Sequence, residues 1–202
     1  YQTAYLKAHY PDAFMAALMT SDYDDIDRLA IEITECKHMN IQVLSPDINE
    51  SYLEFAVVPD QQQIRFGMAA IKNVGAGAAE EIVRVRDEGG KFTSLEDFFS
   101  RVNTRTANRK TLESLIKSGA FDGFGERSYL LHNLDVLLAF ASRLQKERAS
   151  GQVDLFGNAL PDGGAVVKVQ LTLEPPGGVF NQHEQLVWER ELLGLYLSQH
   201  PL

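Results

Sequence analysis

The chain has 202 residues, 45% of them hydrophobic and 23% charged, enough for one large globular domain or two small ones. No apolar run approaches the ~20 residues that span a bilayer, and no basic segment followed by an apolar core opens the chain, so a membrane partner is excluded and a cytoplasmic protein is expected. The net charge of −9 excludes a surface that binds nucleic acid all round, and a single cysteine, Cys36, excludes an internal disulfide or a cysteine-built zinc site.

In chain order, two short helices over residues 2–20 are separated at Tyr10-Pro11, where the proline suits the first turn of the second. Asp24 or Asp25 can cap the next helix, whose Ile26, Leu29, Ala30, Ile33 and Cys36 recur at helical spacing to about Met39; this places Cys36 on a core face. Ile41–Leu44 reads as a short strand, and 53–58 with 63–68 as a hairpin turning at Pro59-Asp60. Helices then follow over 78–86, over 95–101 capped by Ser94, and from Arg109 to Ser118 capped by Asn108 ahead of Gly119. A long helix is expected from about Arg127 to Ala149, a Gly- and Pro-rich linker over 157–181, and a last helix from Gln182 that docks Leu186, Trp188, Leu192 and Leu193 on a neighbouring domain. The fold class is mainly α with a small β-hairpin element.

Charge is unevenly placed. From Thr20 to Asp60 ten acidic residues face only Arg28 and Lys37, whereas Arg101, Arg105, Arg109, Lys110 and Lys117 are accompanied by Glu113 alone. The acids Asp22, Asp24, Asp25 and Asp27 fall at a loop and helix start, where capping accounts for them. The five histidines show no ligand spacing, and no catalytic or metal-binding residue is assigned.

Lys72-Asn73-Val74-Gly75-Ala76-Gly77 lies just before a helix. Glycines there permit positive φ and leave backbone N–H groups uncovered beside the positive end of the helix dipole, an arrangement that holds a phosphate. A dinucleotide fingerprint would need a third glycine where Glu80 stands, and a Walker loop would need a Lys-Ser/Thr ending. A helix-hairpin-helix gripping the DNA backbone remains, beside a ligand-free turn; Lys72, Arg109 and Lys110 would add salt-sensitive phosphate contacts. Gly119 marks a second such unit, without a close G-x-G pair.

Gly151-Gln152-Val153-Asp154-Leu155-Phe156-Gly157 sets two large apolar residues in a polar stretch. Leu155 and Phe156 either fold back on the preceding helix or enter a partner's pocket, where each would contribute roughly 1.5–3 kcal/mol, giving weak binding that needs a second site.

Further blocks carry a resemblance. Tyr1-Gln2-Thr3-Ala4-Tyr5-Leu6-Lys7-Ala8-His9-Tyr10-Pro11, Pro46-Asp47-Ile48-Asn49, Phe66-Gly67-Met68-Ala69-Ala70-Ile71-Lys72-Asn73-Val74-Gly75, Gly90-Lys91-Phe92, Leu115-Ile116-Lys117-Ser118-Gly119-Ala120-Phe121-Asp122 and Glu189–Ser198 stand in this order. Together they resemble the alpha subunits of bacterial DNA polymerase III, the C-family replicative polymerases. The resemblance implies a piece of a longer polypeptide, divided into the end of the fingers with a small β-element (1–68), a helix-hairpin-helix region binding double-stranded DNA (69–150), a sliding-clamp-binding peptide (151–157), a linker (158–181) and a helix leading to a downstream domain (182–202). Gln152, Asp154, Leu155 and Phe156 would meet the clamp, and other replisome subunits are implied partners. Template-directed DNA synthesis would belong to the parent, with Mg2+ and the catalytic aspartates outside this segment. No cofactor is expected within it. A helix-hairpin-helix module of a repair or recombination protein is the alternative, and a purely structural interaction domain a third reading.

Overall fold

A computed structural model describes residues 1–149, 171–175 and 181–197. Among them the helices are α1 (Gln2–His9), α2 (Pro11–Ser21), α3 (Ile26–His38), α4 (Ala76–Gly89), α5 (Leu95–Arg101), α6 (Arg109–Lys117), α7 (Arg127–His132), α8 (Leu134–Ala149) and α9 (Gln182–Leu193). The strands are β1 (Gln42–Leu44), β2 (Ala56–Val57) and β3 (Gln63–Arg65). The mainly α architecture with one small sheet is the one expected.

Local chemistry sets most helix starts. The side chains of Asp25, Ser94 and Asn108 accept from the amides of Arg28, Asp97 and Thr111, each satisfying an N–H that the helix itself cannot, a bond worth about 1 kcal/mol. Pro11 occupies the first turn of α2, where its missing N–H costs nothing. The expected hairpin forms as β2 antiparallel to β3, with Ala56 opposite Arg65. β1 adds to the other edge of β3 in parallel, with Gln42 opposite Gln63. The parallel pairing needs the crossover of residues 45–62, so no short-range signal announces it.

One hydrophobic core joins these elements. Phe98 packs edge-to-face against Phe92, Phe99 and Phe121 at centroid separations of 4.9, 5.2 and 4.9 Å, the geometry the ring quadrupole favours. Polar clasps tie distant segments to it. The Asn49 amide donates to the Phe92 carbonyl (3.0 Å) and accepts from the Phe92 N–H (2.8 Å), and the Ile48 N–H donates to the Ala120 carbonyl at 3.1 Å. Buried Arg86 donates to the carbonyls of Ile48 and Ser51 at 3.0 and 2.7 Å.

Three expectations need correction. The helix from Arg127 to Ala149 breaks at Asn133, which is fully buried; its amide donates to the carbonyls of Tyr129 and Glu174 and its Oδ1 accepts from the Glu174 N–H. The break therefore serves a segment 41 residues further on. For the same reason 171–175 is not a free linker: Leu171 and Leu173 pack on the core. Finally, α9 turns back onto its own body. Leu186, Leu192 and Leu193 are buried, α9 packs on α6, and Lys117 lies over the Trp188 ring at 5.8 Å from its centroid.

Candidate nucleic-acid interface

The first hairpin follows a single 3-10 turn, Met68–Ala70, and ends at the start of α4. Ile71 and Val74 are buried and fasten the turn to the core, while Lys72, Asn73, Gly75, Ala76 and Gly77 are exposed. Positive φ falls on Asn73 (69°), whereas Gly75, the N-cap of α4, has φ −71°, a value open to any residue. Glycine at 75 is thus not demanded by backbone strain. Nor is it demanded by packing among the described residues, where a Cβ at Gly75 or Gly77 would meet nothing within 4 Å. The consequence is a bare backbone at the positive end of a 14-residue helix. Among the described residues no acceptor meets the N–H groups of Gly75, Ala76 or Gly77, while Ala78 and Ala79 donate to the Gly75 carbonyl. Three free donors beside a helix N-terminus can take an anion.

Helix α6 holds this turn in place. Its buried Thr111 donates through Oγ1 to the Asn73 carbonyl (3.2 Å), and its buried Ser114 accepts from the Asn73 amide (3.3 Å). From the other side, the Lys72 N–H donates to the Leu192 carbonyl of α9 at 3.0 Å. Sequence reading did not single out Thr111, Ser114 or Leu192 for this role. The available signal was two hydroxyls three apart within the apolar face of α6.

Of the expected basic contacts, Lys72 and Lys110 are exposed and meet no side-chain partner among the described residues. Arg109 is exposed and ion-paired with Asp135, a contact that holds its guanidinium even higher than usual but that phosphate can displace, since both partners face solvent. Gly119 belongs elsewhere. It is buried at φ 94° as the residue after the α6 C-cap, with its N–H donating to the Ile116 carbonyl and that of Ala120 to the Leu115 carbonyl, the paired bonds of a Schellman cap. A Cβ there would also strike the Arg127 guanidinium at 2.6 Å. The second turn therefore uses its glycine internally, which removes Gly119 from the exposed face.

Gln152, Asp154, Leu155 and Phe156 lie outside the described residues. The acids at 22–27 do not supply a metal's donor set: Asp25 caps α3, Asp22 faces Arg28, and among the described residues no three His, Cys, Asp or Glu side chains converge. No described helix is long and apolar enough to cross a membrane.

Residues 40–130 match the family model described as helix-hairpin-helix motif, a span that includes both turns. The full chain is 41% identical to the DNA polymerase III subunit alpha of Saccharopolyspora erythraea, 42% to that of Mycobacterium tuberculosis and 44% to that of Deinococcus radiodurans. Along its whole length, the chain aligns with a segment of DNA polymerase III alpha subunits. The resemblance read from the ordered sequence blocks is borne out. The chain spans 17%, 17% and 15% of those three relatives.

Proposed function

We propose that this polymerase segment grips duplex DNA by its backbone and tethers the parent polymerase to a sliding clamp. The observation that carries the first part is the open end of α4: two glycines that no described residue requires, three amides unmet among the described residues, and Lys72 beside them. Contacts of that kind position a duplex and carry no base sequence. The helix-hairpin-helix match over the same residues supports this reading against a ligand-free turn. The alpha-subunit relatives favour a replicative polymerase over a repair module.

The tether rests on the resemblance of Gln152-Val153-Asp154-Leu155-Phe156 to the clamp-binding motif of the family. The parent's reaction would be template-directed nucleotidyl transfer with Mg2+ held outside this segment, in the cytoplasm and alongside other replisome subunits. Residues 69–150 would be the DNA-binding region and 1–68 the end of the fingers.

Gly75→Val tests the grip. Among the described residues beyond its chain neighbours, a Cβ there meets nothing within 4 Å, so the variant should fold normally, yet the branched side chain would stand where a phosphate must approach. Duplex affinity in fluorescence anisotropy should fall about equally for unrelated DNA sequences; unchanged affinity, or a loss confined to one sequence, would contradict backbone readout.

A further inference from the structure

Some exposed cations meet carboxylates: Arg28 faces Asp22 and Asp25, Arg84 faces Glu81 and Glu88, Lys91 faces Glu50, and Arg109 faces Asp135. Among the described residues, the exposed Lys and Arg side chains that meet no acceptor are Lys37, Lys72, Arg105, Lys110, Arg143 and Lys146. All but Lys37 fall on elements that are tied together. Thr111 joins α6 to the hairpin, the Arg109–Asp135 pair joins the start of α6 to the start of α8, and Gln145 donates to the Thr104 hydroxyl at 3.2 Å, joining the end of α8 to the loop that carries Arg105.

Helical spacing arranges the α8 members. Asp135, Ala139, Ser142 and Lys146 follow at i, i+4, i+7 and i+11 along one exposed line, with Arg143 next to it. Asp135, at its start, is ion-paired with Arg109. From Asp135 to Lys146 the line runs about 16 Å at 1.5 Å per residue. Phosphates recur every 3.4 Å of axis along one strand, so this length matches about five base pairs.

We infer that Arg105, Arg143 and Lys146 extend the DNA contact beyond the hairpin, forming a short rail of unpaired cations at the far end of α8, about five base pairs' length from its start, that meets the phosphates of the same duplex. The inference rests on the duplex reading of the hairpin. Charge complementarity singles out the occupant: on a chain of net charge −9, the unpaired exposed cations among the described residues, Lys37 apart, fall on these tied elements.

The test is the salt dependence of binding of the full chain to a duplex of about 20 base pairs, two helical turns. Each neutralised phosphate contributes about 0.9 to the slope of log affinity against log salt. The triple variant Arg105→Ala/Arg143→Ala/Lys146→Ala should therefore show a slope shallower by close to 3, so that between roughly 50 and 200 mM salt the wild type loses about 40-fold more affinity than the variant. Replacing Arg105 and Arg143 by Lys should keep the wild-type slope. These side chains are exposed and unpartnered, so circular dichroism should be unchanged. A triple variant with the wild-type slope, in a chain whose duplex binding still depends on Gly75, would overturn the rail and leave the hairpin reading standing. A wild-type chain that binds no duplex would overturn both.

Discussion

Glu32 is 7% exposed on α3, and its Oε2 meets no donor among the described residues. Burial, and next the neighbouring Asp22, push its carboxyl up to about 7, with Arg28 working in the opposite direction. The folded chain thus keeps a proton that the unfolded chain releases near the ordinary value of 4.5. Between these two values the native state binds more protons than the unfolded state, so stability falls as pH rises from about 4.5 to about 7 and then levels off. Glu32→Gln removes the titrating charge and keeps a polar group toward Asp22. Its melting temperature should match the wild type near pH 5 and exceed it near pH 8; equal melting at both would show that the acid costs nothing where it sits. Burial acts the same way on Cys36, whose thiol is pushed up to about 11, which keeps it a core residue and not a nucleophile.

At the scale of elements, α9 is held by a buried charge cluster. Arg127, on α7, donates to Asp122 at 2.8 Å, to fully buried Glu189 of α9 at 3.0 Å and to the Lys117 carbonyl at 3.1 Å; Glu189 also accepts from the Leu197 N–H. Breaking such a pair on one side typically costs about 3–5 kcal/mol, whereas removing both charges together costs far less. Arg127→Met should accordingly lower the urea midpoint strongly, and Arg127→Met/Glu189→Leu should recover part of the loss; equal destabilisation by both would mean that the cluster is not what docks α9. This cluster was invisible in the sequence because Glu189 sits 62 positions from Arg127. Elements set by neighbours a few residues away were legible: the caps at Asp25, Ser94 and Asn108, and Pro11 at the start of α2. Those set by distant partners were not. The apolar stripe runs on through Asn133, and only the remote Glu174 backbone explains the break. The candidate site divides the same way. The glycines located the open end of α4, but the positive φ lies on Asn73, held by α6, and Gly119 read as a contact is a helix cap.

For the whole molecule, what matters is that the proposed contacts share one chain. The open end of α4, the cations along α8 and, next in sequence, Gln152–Phe156 would engage a duplex and the ring around it together. In a clamp pocket Leu155 and Phe156 would contribute at most roughly 1.5–3 kcal/mol each before ordering costs, so the peptide alone should hold the clamp weakly. Joined to a duplex contact, the second engagement becomes intramolecular, and linkage of this kind raises overall affinity by about 10²–10⁴ with no new interaction. The chain should therefore bind clamp-loaded duplex at least about 100-fold more tightly than bare duplex. In Leu155→Ala/Phe156→Ala this preference should vanish while bare-duplex affinity stays unchanged. In Gly75→Val the converse holds: bare-duplex affinity drops, and the peptide still binds free clamp as weakly as before. Dissociation rates measured on both DNAs separate the cases, because a tether would act by delaying departure and not by speeding arrival. Equal preference for clamp-loaded duplex in the Leu155→Ala/Phe156→Ala variant would sink the tether, whatever became of the grip on DNA.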